Sequence, residues 1–152
     1  MDKFGSVDEL LSFAIEKEEE ANKFYMDLAG KMDRPAMRQV FQDFAGEELK
    51  HKEKLLEVKE GKLLVSAQSK VVDLKIGDYL VVVPPGPDMD YQEALILAMK
   101  KEKASFKLYT DLAATTEDNN LQSLLLGLAQ EEAKHKLRLE MEYDENFLTE
   151  KW

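Results

Sequence analysis

The stretch Glu-Glu-Leu-Lys-His-Lys at residues 47–52 recurs as Glu-Glu-Ala-Lys-His-Lys at residues 131–136. Together the two stretches contain both histidines of the chain, and in each a glutamate precedes the histidine by three residues. The pairs are Glu48 with His51 and Glu132 with His135. Residues three apart on a helix lie on one face, so a carboxylate and an imidazole at this spacing can bind one metal ion together. A single such step is usually solvent-exposed charge, but two copies that use every histidine favour a ligand set.

The two stretches belong to a longer internal repeat. With a shift of 84 residues, the segment from Glu9 to Leu55 aligns with the second half of the chain without a gap. Identical pairs include Leu11/Leu95, Ala14/Ala98, Lys17/Lys101, Glu18/Glu102 and Tyr25/Tyr109. A duplicated helical hairpin, packed about a pseudo-two-fold axis, is the simplest interpretation. A solenoid is a poor alternative, because two repeat units rarely suffice for one.

Helix signals divide the chain into four helices in an all-α fold. Capping boxes at Ser6-x-x-Glu9 and Asp90-x-x-Glu93 start the first and third helices, and Gly30 is the expected left-handed residue after the first. The predicted helices run from Ser6 to Gly30, Pro35 to Gly61, Asp90 to Ala114 and Asp118 to Leu148. We therefore predict one domain over residues 1–152, with hairpins at 6–60 and 90–149 and a long crossover at 61–89. This order is typical of a four-helix bundle with one crossover connection.

Composition excludes several classes of function. The 152 residues include no cysteine, which excludes disulfides, thiol nucleophiles and thiolate-bound zinc or iron–sulfur sites within this sequence. The net charge is −10, whereas a nucleic-acid-binding protein should show a basic stripe. No apolar run is long enough to cross a bilayer, and the first residues show no secretion signal, so we expect a cytoplasmic protein without nucleic-acid or membrane partners.

Two further glutamates complete the candidate site. Glu18 and Glu102 each follow an apolar-face alanine by four residues and precede a tyrosine by seven, which places them on the core stripe of their helices. A glutamate there is costly unless it is paired or bound to metal. The predicted inward set is Glu18, Glu48, His51, Glu102, Glu132 and His135. Its four carboxylates would neutralise two divalent ions, and hard oxygen donors with imidazole suit iron or manganese.

These motifs resemble those of rubrerythrin, a di-iron family of the ferritin-like superfamily. The first-helix string Glu18-x-x-Ala21-x-x-x-Tyr25 and both Glu-Glu-x-Lys-His strings are similar to the family's ligand motifs, and the resemblance covers nearly the whole chain. Rubrerythrin proper carries a rubredoxin module with four cysteines, which this sequence lacks. Many members also have an extra ligand glutamate one turn after the third-helix glutamate, where this chain has Ser105.

The resemblance implies a ferritin-like four-helix bundle that holds two iron ions, with manganese or a mixed pair as alternatives. Glu48 and Glu132 would bridge the ions, the other four side chains would be terminal ligands, and Tyr25 and Tyr109 would hydrogen-bond to ligand carboxylates. The implied activity is that of a non-haem di-iron oxidoreductase that reduces hydrogen peroxide, or reacts with dioxygen, using an external rubredoxin-like donor. Iron oxidation for storage or detoxification is the main alternative, and a helical scaffold that keeps metal only for stability is a third. We also expect a homodimer.

Overall fold

The computed structural model describes residues 7–60 and 90–147. Within these ranges the chain forms four α-helices and no strand. The helices are α1 (Val7–Gly30), α2 (Pro35–Glu60), α3 (Tyr91–Thr115) and α4 (Asn119–Phe147). The prediction of an all-α, four-helix fold is confirmed. The predicted capping box at Ser6 and the predicted crossover at 61–89 lie outside the described residues.

Local side-chain bonds explain where two helices begin. The Asp90 carboxylate accepts a hydrogen bond from the backbone N–H of Glu93 at 2.8 Å, and the Glu93 carboxylate accepts from the N–H of Asp90 at 3.2 Å. Asp118 caps α4 by accepting from the N–H of Leu121 at 2.8 Å. Both arrangements satisfy amide groups that a helix start leaves without partners.

The end of α1 differs from the prediction. Gly30 is the last helical residue, and no described glycine has a positive φ. The prediction that Gly30 follows the helix as a left-handed cap was therefore wrong. Instead, Lys31 and Met32 donate to the carbonyls of Leu28 and Ala29, each at 3.1 Å. These i to i−3 bonds tighten the last turn and satisfy its carbonyls, so a left-handed residue is not required.

The core consists of two apolar clusters at opposite ends of the bundle. The first, here the leucine-rich end, joins the starts of α1 and α4 to the ends of α2 and α3, and includes Leu10, Leu11, Leu55, Leu112, Leu121 and Leu125. The second, here the aromatic end, joins the other four helix termini, and includes Tyr25, Phe41, Phe44, Leu95 and Leu139. Each hairpin packs along its own length, while α1 approaches α3 and α2 approaches α4. Between the two clusters lies a layer of buried polar side chains, here the polar layer, which contains Glu18, Glu48, His51, Glu102, Glu132 and His135.

A buried carboxylate that the sequence did not reveal ties the aromatic end together. Glu142 is 2% exposed, accepts a hydrogen bond from the Tyr91 hydroxyl at 2.6 Å and pairs with the Arg34 guanidinium. Arg34 lies between α1 and α2, so the cluster links the first hairpin to both helices of the second. None of the described helices is both long and apolar enough to cross a membrane.

Candidate metal centre

All six predicted ligand side chains meet in the polar layer, and all are buried. Their donor atoms form two groups in which every atom lies within 4.8 Å of the others. The groups are Glu18, Glu48, His51, Glu132 and Glu48, Glu102, Glu132, His135. Because Glu48 and Glu132 belong to both groups, the arrangement offers two neighbouring cation positions that share two carboxylates.

Both histidines direct the same ring nitrogen toward the carboxylates. The Nδ1 atom of His51 lies 3.3 Å from Glu18 Oε2, 3.2 Å from Glu48 Oε1 and 3.4 Å from Glu132 Oε1. The Nδ1 atom of His135 lies 3.0 Å from Glu102 Oε2 and 3.6 Å from Glu132 Oε1. The two halves of the repeat therefore supply equivalent nitrogen donors, one on each side of the shared carboxylates.

The other ring nitrogen of each histidine, Nε2, faces a glutamate that is not among the six predicted ligands. His135 Nε2 lies 2.5 Å from Glu47 Oε2, and His51 Nε2 lies 3.3 Å from Glu131 Oε1. Each contact crosses between hairpins, because Glu47 is on α2 and His135 is on α4. The Glu47 and Glu131 side chains are 43% and 38% exposed, so they border the site on its solvent side. The doubled Glu-Glu step in both repeated stretches was the signal that could have identified them.

The two tyrosines also bind across the bundle. The Tyr25 hydroxyl donates to Glu102 Oε2 at 2.7 Å, and the Tyr109 hydroxyl donates to Glu18. Each tyrosine thus binds a glutamate of the other hairpin, not the one on its own helix. Both phenols are about 1% exposed and have these carboxylates as partners. They fix the orientation of Glu18 and Glu102, as partners outside a ligand shell commonly do.

Burial dominates the electrostatics of the cluster. Burial, reinforced by neighbouring carboxylates, raises the pKa of Glu48 and of Glu132 well above the usual range. Burial alone would lower the pKa of His51, but the carboxylates of Glu132 and Glu18 raise it to about 11. Without cations, the cluster therefore retains protons that exposed glutamates would release at neutral pH.

The site has the chemistry to bind metal. Among the described residues, Glu48 Oε1, both carboxylate oxygens of Glu132 and both ring nitrogens of His51 are buried without an aligned hydrogen bond. Such atoms are costly in a core unless they have partners. Two divalent cations would supply partners to the carboxylate oxygens and to His51 Nδ1, and they would balance the four carboxylates. The donor set of oxygens with imidazole nitrogen suits iron or manganese.

Comparison with known proteins agrees with this geometry. The family model described as Rubrerythrin matches residues 9–143, which is most of the chain. The chain belongs to the rubrerythrin family. A ferritin-like diiron-carboxylate protein from Thermotoga maritima is 23% identical with a TM-score of 0.77, over 95% of this chain and 99% of that one. A hypothetical protein from Pyrococcus furiosus is 29% identical with a TM-score of 0.70, over 91% of this chain and 89% of that one. A search of curated proteins found no significant match.

Membership of the rubrerythrin family and the cluster of glutamates and histidines together identify a carboxylate-rich site for two metal ions. The two halves of this rubrerythrin-family site are not identical in their surroundings. The Phe44 ring stacks on His135 with a centroid separation of 4.1 Å and an interplanar angle of 22°. The repeat places Leu128 at the position equivalent to Phe44, so only the His135 side carries this aromatic contact. The surroundings of the two histidines therefore differ, although the two candidate donor groups contain the same residue types.

Proposed function

We propose that this protein is a non-haem di-iron oxidoreductase that reduces hydrogen peroxide to water. The observation that carries the proposal is the pair of neighbouring cation positions that share Glu48 and Glu132. Two metal ions held by common carboxylates can act on one small oxidant together, as two-metal sites do. Membership of the rubrerythrin family supports iron as the metal, with manganese or a mixed pair as alternatives.

A bound pair of ferrous ions would supply the two electrons that, with two protons, convert one peroxide molecule into two waters. The protein's contribution is geometric. Glu48 and Glu132 would keep the two ions adjacent, while Glu18 with His51 and Glu102 with His135 would complete each position. Tyr25 and Tyr109 would keep the terminal carboxylates in a fixed orientation through their hydrogen bonds.

Glu47 and Glu131 would act as positioning residues. A carboxylate that accepts a hydrogen bond from Nε2–H of a histidine fixes the ring tautomer and leaves Nδ1 free to bind metal. In both halves Nδ1 is the nitrogen that faces the shared carboxylates, and Nε2 is the nitrogen that faces Glu47 or Glu131. Bound metal would displace the extra proton of each imidazole, and Glu47 at 2.5 Å and Glu131 at 3.3 Å would then be the carboxylates that face Nε2–H.

Repeated turnover needs an electron donor. The sequence has no cysteine, so any cysteine-bound iron that supplies electrons would lie outside these 152 residues. We propose a rubredoxin-like donor that presents basic residues to this acidic chain, whose net charge is −10. Attraction of that kind favours fast association and weakens with salt. A cytoplasmic location and a homodimer remain part of the proposal.

Stopped-flow mixing after anaerobic loading with ferrous iron tests the proposed reaction. We expect peroxide to oxidise the loaded site faster than dioxygen does, and we expect repeated turnover only when a donor is added. Glu53→Gln, which alters an exposed glutamate of α2, is the control and should react like the parent protein. Ferric iron that accumulates well beyond two ions per chain without a donor, with peroxide no faster than dioxygen, would instead support iron oxidation and storage.

A further inference from the structure

The side of α4 that faces away from the polar layer carries a line of apolar side chains. Five large apolar side chains are exposed among the described residues, and three of them lie on α4. Leu126 is 44% exposed, Leu137 is 59% exposed and Met141 is 51% exposed. With about 100° per residue, the three lie within about 60° of one another around the helix and span about 22 Å along it. We refer to these three side chains as the α4 stripe.

The internal repeat shows that the bundle itself does not require the α4 stripe. Under the 84-residue shift, the equivalent positions of α2 are also exposed but carry polar side chains, which are Gln42, Glu53 and Glu57. The same structural position is therefore solvated and polar in one hairpin and apolar in the other. Single exposed apolar residues are common on protein surfaces, but a continuous line of them marks a surface that contacts a partner.

Charge indicates which partner fits this face. Between residues 123 and 141, seven residues of α4 are exposed, and one of them, Lys134, is charged. Four of the seven equivalent exposed positions of α2 are charged, and these are Asp43, Lys50, Glu53 and Glu57. The chain carries a net charge of −10, so two copies repel each other over most of their surface, whereas this nearly neutral face avoids most of that repulsion. A strongly charged partner would gain little attraction here, so a second copy of the chain is favoured.

We propose that the α4 stripe is the interface of a homodimer in which the α4 helices of two copies pack antiparallel, with the two-fold axis between residues 133 and 134. The inference rests on the proposed function only in that a homodimer is part of it. A two-fold interface must be complementary to itself. In this register Leu126 packs against Met141 of the partner subunit, and Leu137 packs beside Gln130 of the partner subunit. Gly127, whose Cα faces open space, leaves room for the same methionine.

The size of the α4 stripe sets the strength of the dimer. The contact is one helix wide, so it is smaller than the roughly 800 Å² that a standard interface buries on each partner. We therefore expect a reversible dimer with a Kd of about 1–100 µM. Sedimentation velocity of the iron-loaded protein measures it, over concentrations from about 1 µM to about 500 µM that bracket this Kd.

Two substitutions in the α4 stripe test the interface. Leu137→Glu and Met141→Glu introduce the glutamates that the repeat has on α2, where they are exposed, so the fold should tolerate them. Each change acts twice in a two-fold interface and should weaken the dimer by about a hundredfold. Met26→Glu is the matched control, because Met26 on α1 is 53% exposed and lies outside the stripe. It should dimerise like the parent protein, and circular dichroism should show the same helix content in all variants.

Cross-linking tests the antiparallel register, because the chain has no cysteine of its own. Lys134→Cys places one thiol on each copy beside the two-fold axis, so a short bis-maleimide should join two copies. Ser123→Cys places the two thiols about 30 Å apart along the helices and should not be joined. Cross-linking of Ser123→Cys without cross-linking of Lys134→Cys would contradict the proposed pairing.

Iron content and the rate of oxidation by peroxide separate this inference from the proposed reaction. Both should be the same in the parent protein and in the glutamate variants, since the α4 stripe faces away from the metal centre. Failure of peroxide to oxidise the parent would overturn the proposed reaction and leave the interface intact. A parent protein that is monomeric at about 500 µM, or a dimer that Leu137→Glu and Met141→Glu leave unchanged, would overturn the interface and show that the stripe serves another contact.

Discussion

Glu48 and Glu132 occupy equivalent positions in the repeat and each faces both cation positions. We therefore expect Glu48→Ala and Glu132→Ala to cause similar and large losses of bound metal. Tyr25→Phe removes one hydrogen bond to a terminal ligand and should weaken metal binding by only about 10-fold to 100-fold. Ferrous titration against a competing chelator measures all three. Unchanged metal content in Glu132→Ala would show that the two halves do not form one site.

Glu47 and Glu131 give a second test, because they contact the histidines without belonging to either donor group. Glu47→Gln and Glu131→Gln should each weaken metal binding by about 10-fold to 100-fold, the usual effect of losing a partner that orients a ligand. Glu53→Gln, on the exposed face of α2, is the matched control for a lost negative charge. If all three variants bound metal equally, Glu47 and Glu131 would be surface charges with no positioning role.

The six inward side chains could be predicted because helical spacing fixes which residues share a face, and the repeat doubles the pattern. The contacts of Glu47 and Glu131 could not be predicted, since they depend on how one hairpin is placed against the other. The same holds for the tyrosines: their proximity to the glutamates was predictable, but the crossed pairing of Tyr25 with Glu102 was not. Glu142 was missed because a single glutamate near the end of a charged helix carries no distinguishing pattern.

The helices themselves follow local signals closely. Asp90, Asp118 and Pro35 mark helix starts where the structure has them, because capping and proline chemistry act within a single turn. Gly30 was misassigned because a helix can also end through tightened backbone bonds, which any residue allows. The packing of one hairpin on the other, including the link through Arg34 and Glu142, depends on tertiary contacts that no local signal encodes.

The ion pair between Arg34 and Glu142, at the aromatic end, should stabilise the packing of the two hairpins against each other. Arg34→Ala would leave the buried Glu142 carboxylate with the Tyr91 hydroxyl as its remaining side-chain donor among the described residues. Because Arg34 is about half exposed, we expect a moderate loss of about 1–2 kcal/mol in the free energy of unfolding. Urea unfolding measures it, with the exposed Lys23→Ala as control. Equal stability of the two variants would mean that the ion pair does not hold the hairpins together.

The bundle as a unit should lose stability with rising pH when it has no metal. Folding raises the pKa values of Glu48 and Glu132 from 4.5, and it raises that of His51 from 6.5 to about 11. The native protein then holds protons that the unfolded chain releases. The stability that these protons contribute is fully present below the unfolded-state pKa values of 4.5 for the glutamates and 6.5 for His51, and it is lost as pH rises through the higher folded-state values. Bound metal replaces those protons and should reverse the trend by binding the ionised native form.

Thermal melts of chelator-treated and iron-loaded protein between roughly pH 5 and 8 check this expectation. The difference in melting temperature should widen toward pH 8, because the metal-free form weakens and the loaded form does not. A metal-free protein whose melting temperature equals that of the loaded protein at every pH would be inconsistent with a buried carboxylate cluster.

The central claim is that six side chains from four helices hold two metal ions at one site. Crystals of iron-loaded protein, measured at the iron absorption edge, test it most directly. We predict two anomalous peaks per chain, both between Glu48 and Glu132, with one beside His51 Nδ1 and the other beside His135 Nδ1. A single peak, or peaks away from these residues in protein that has bound iron, would contradict the claim.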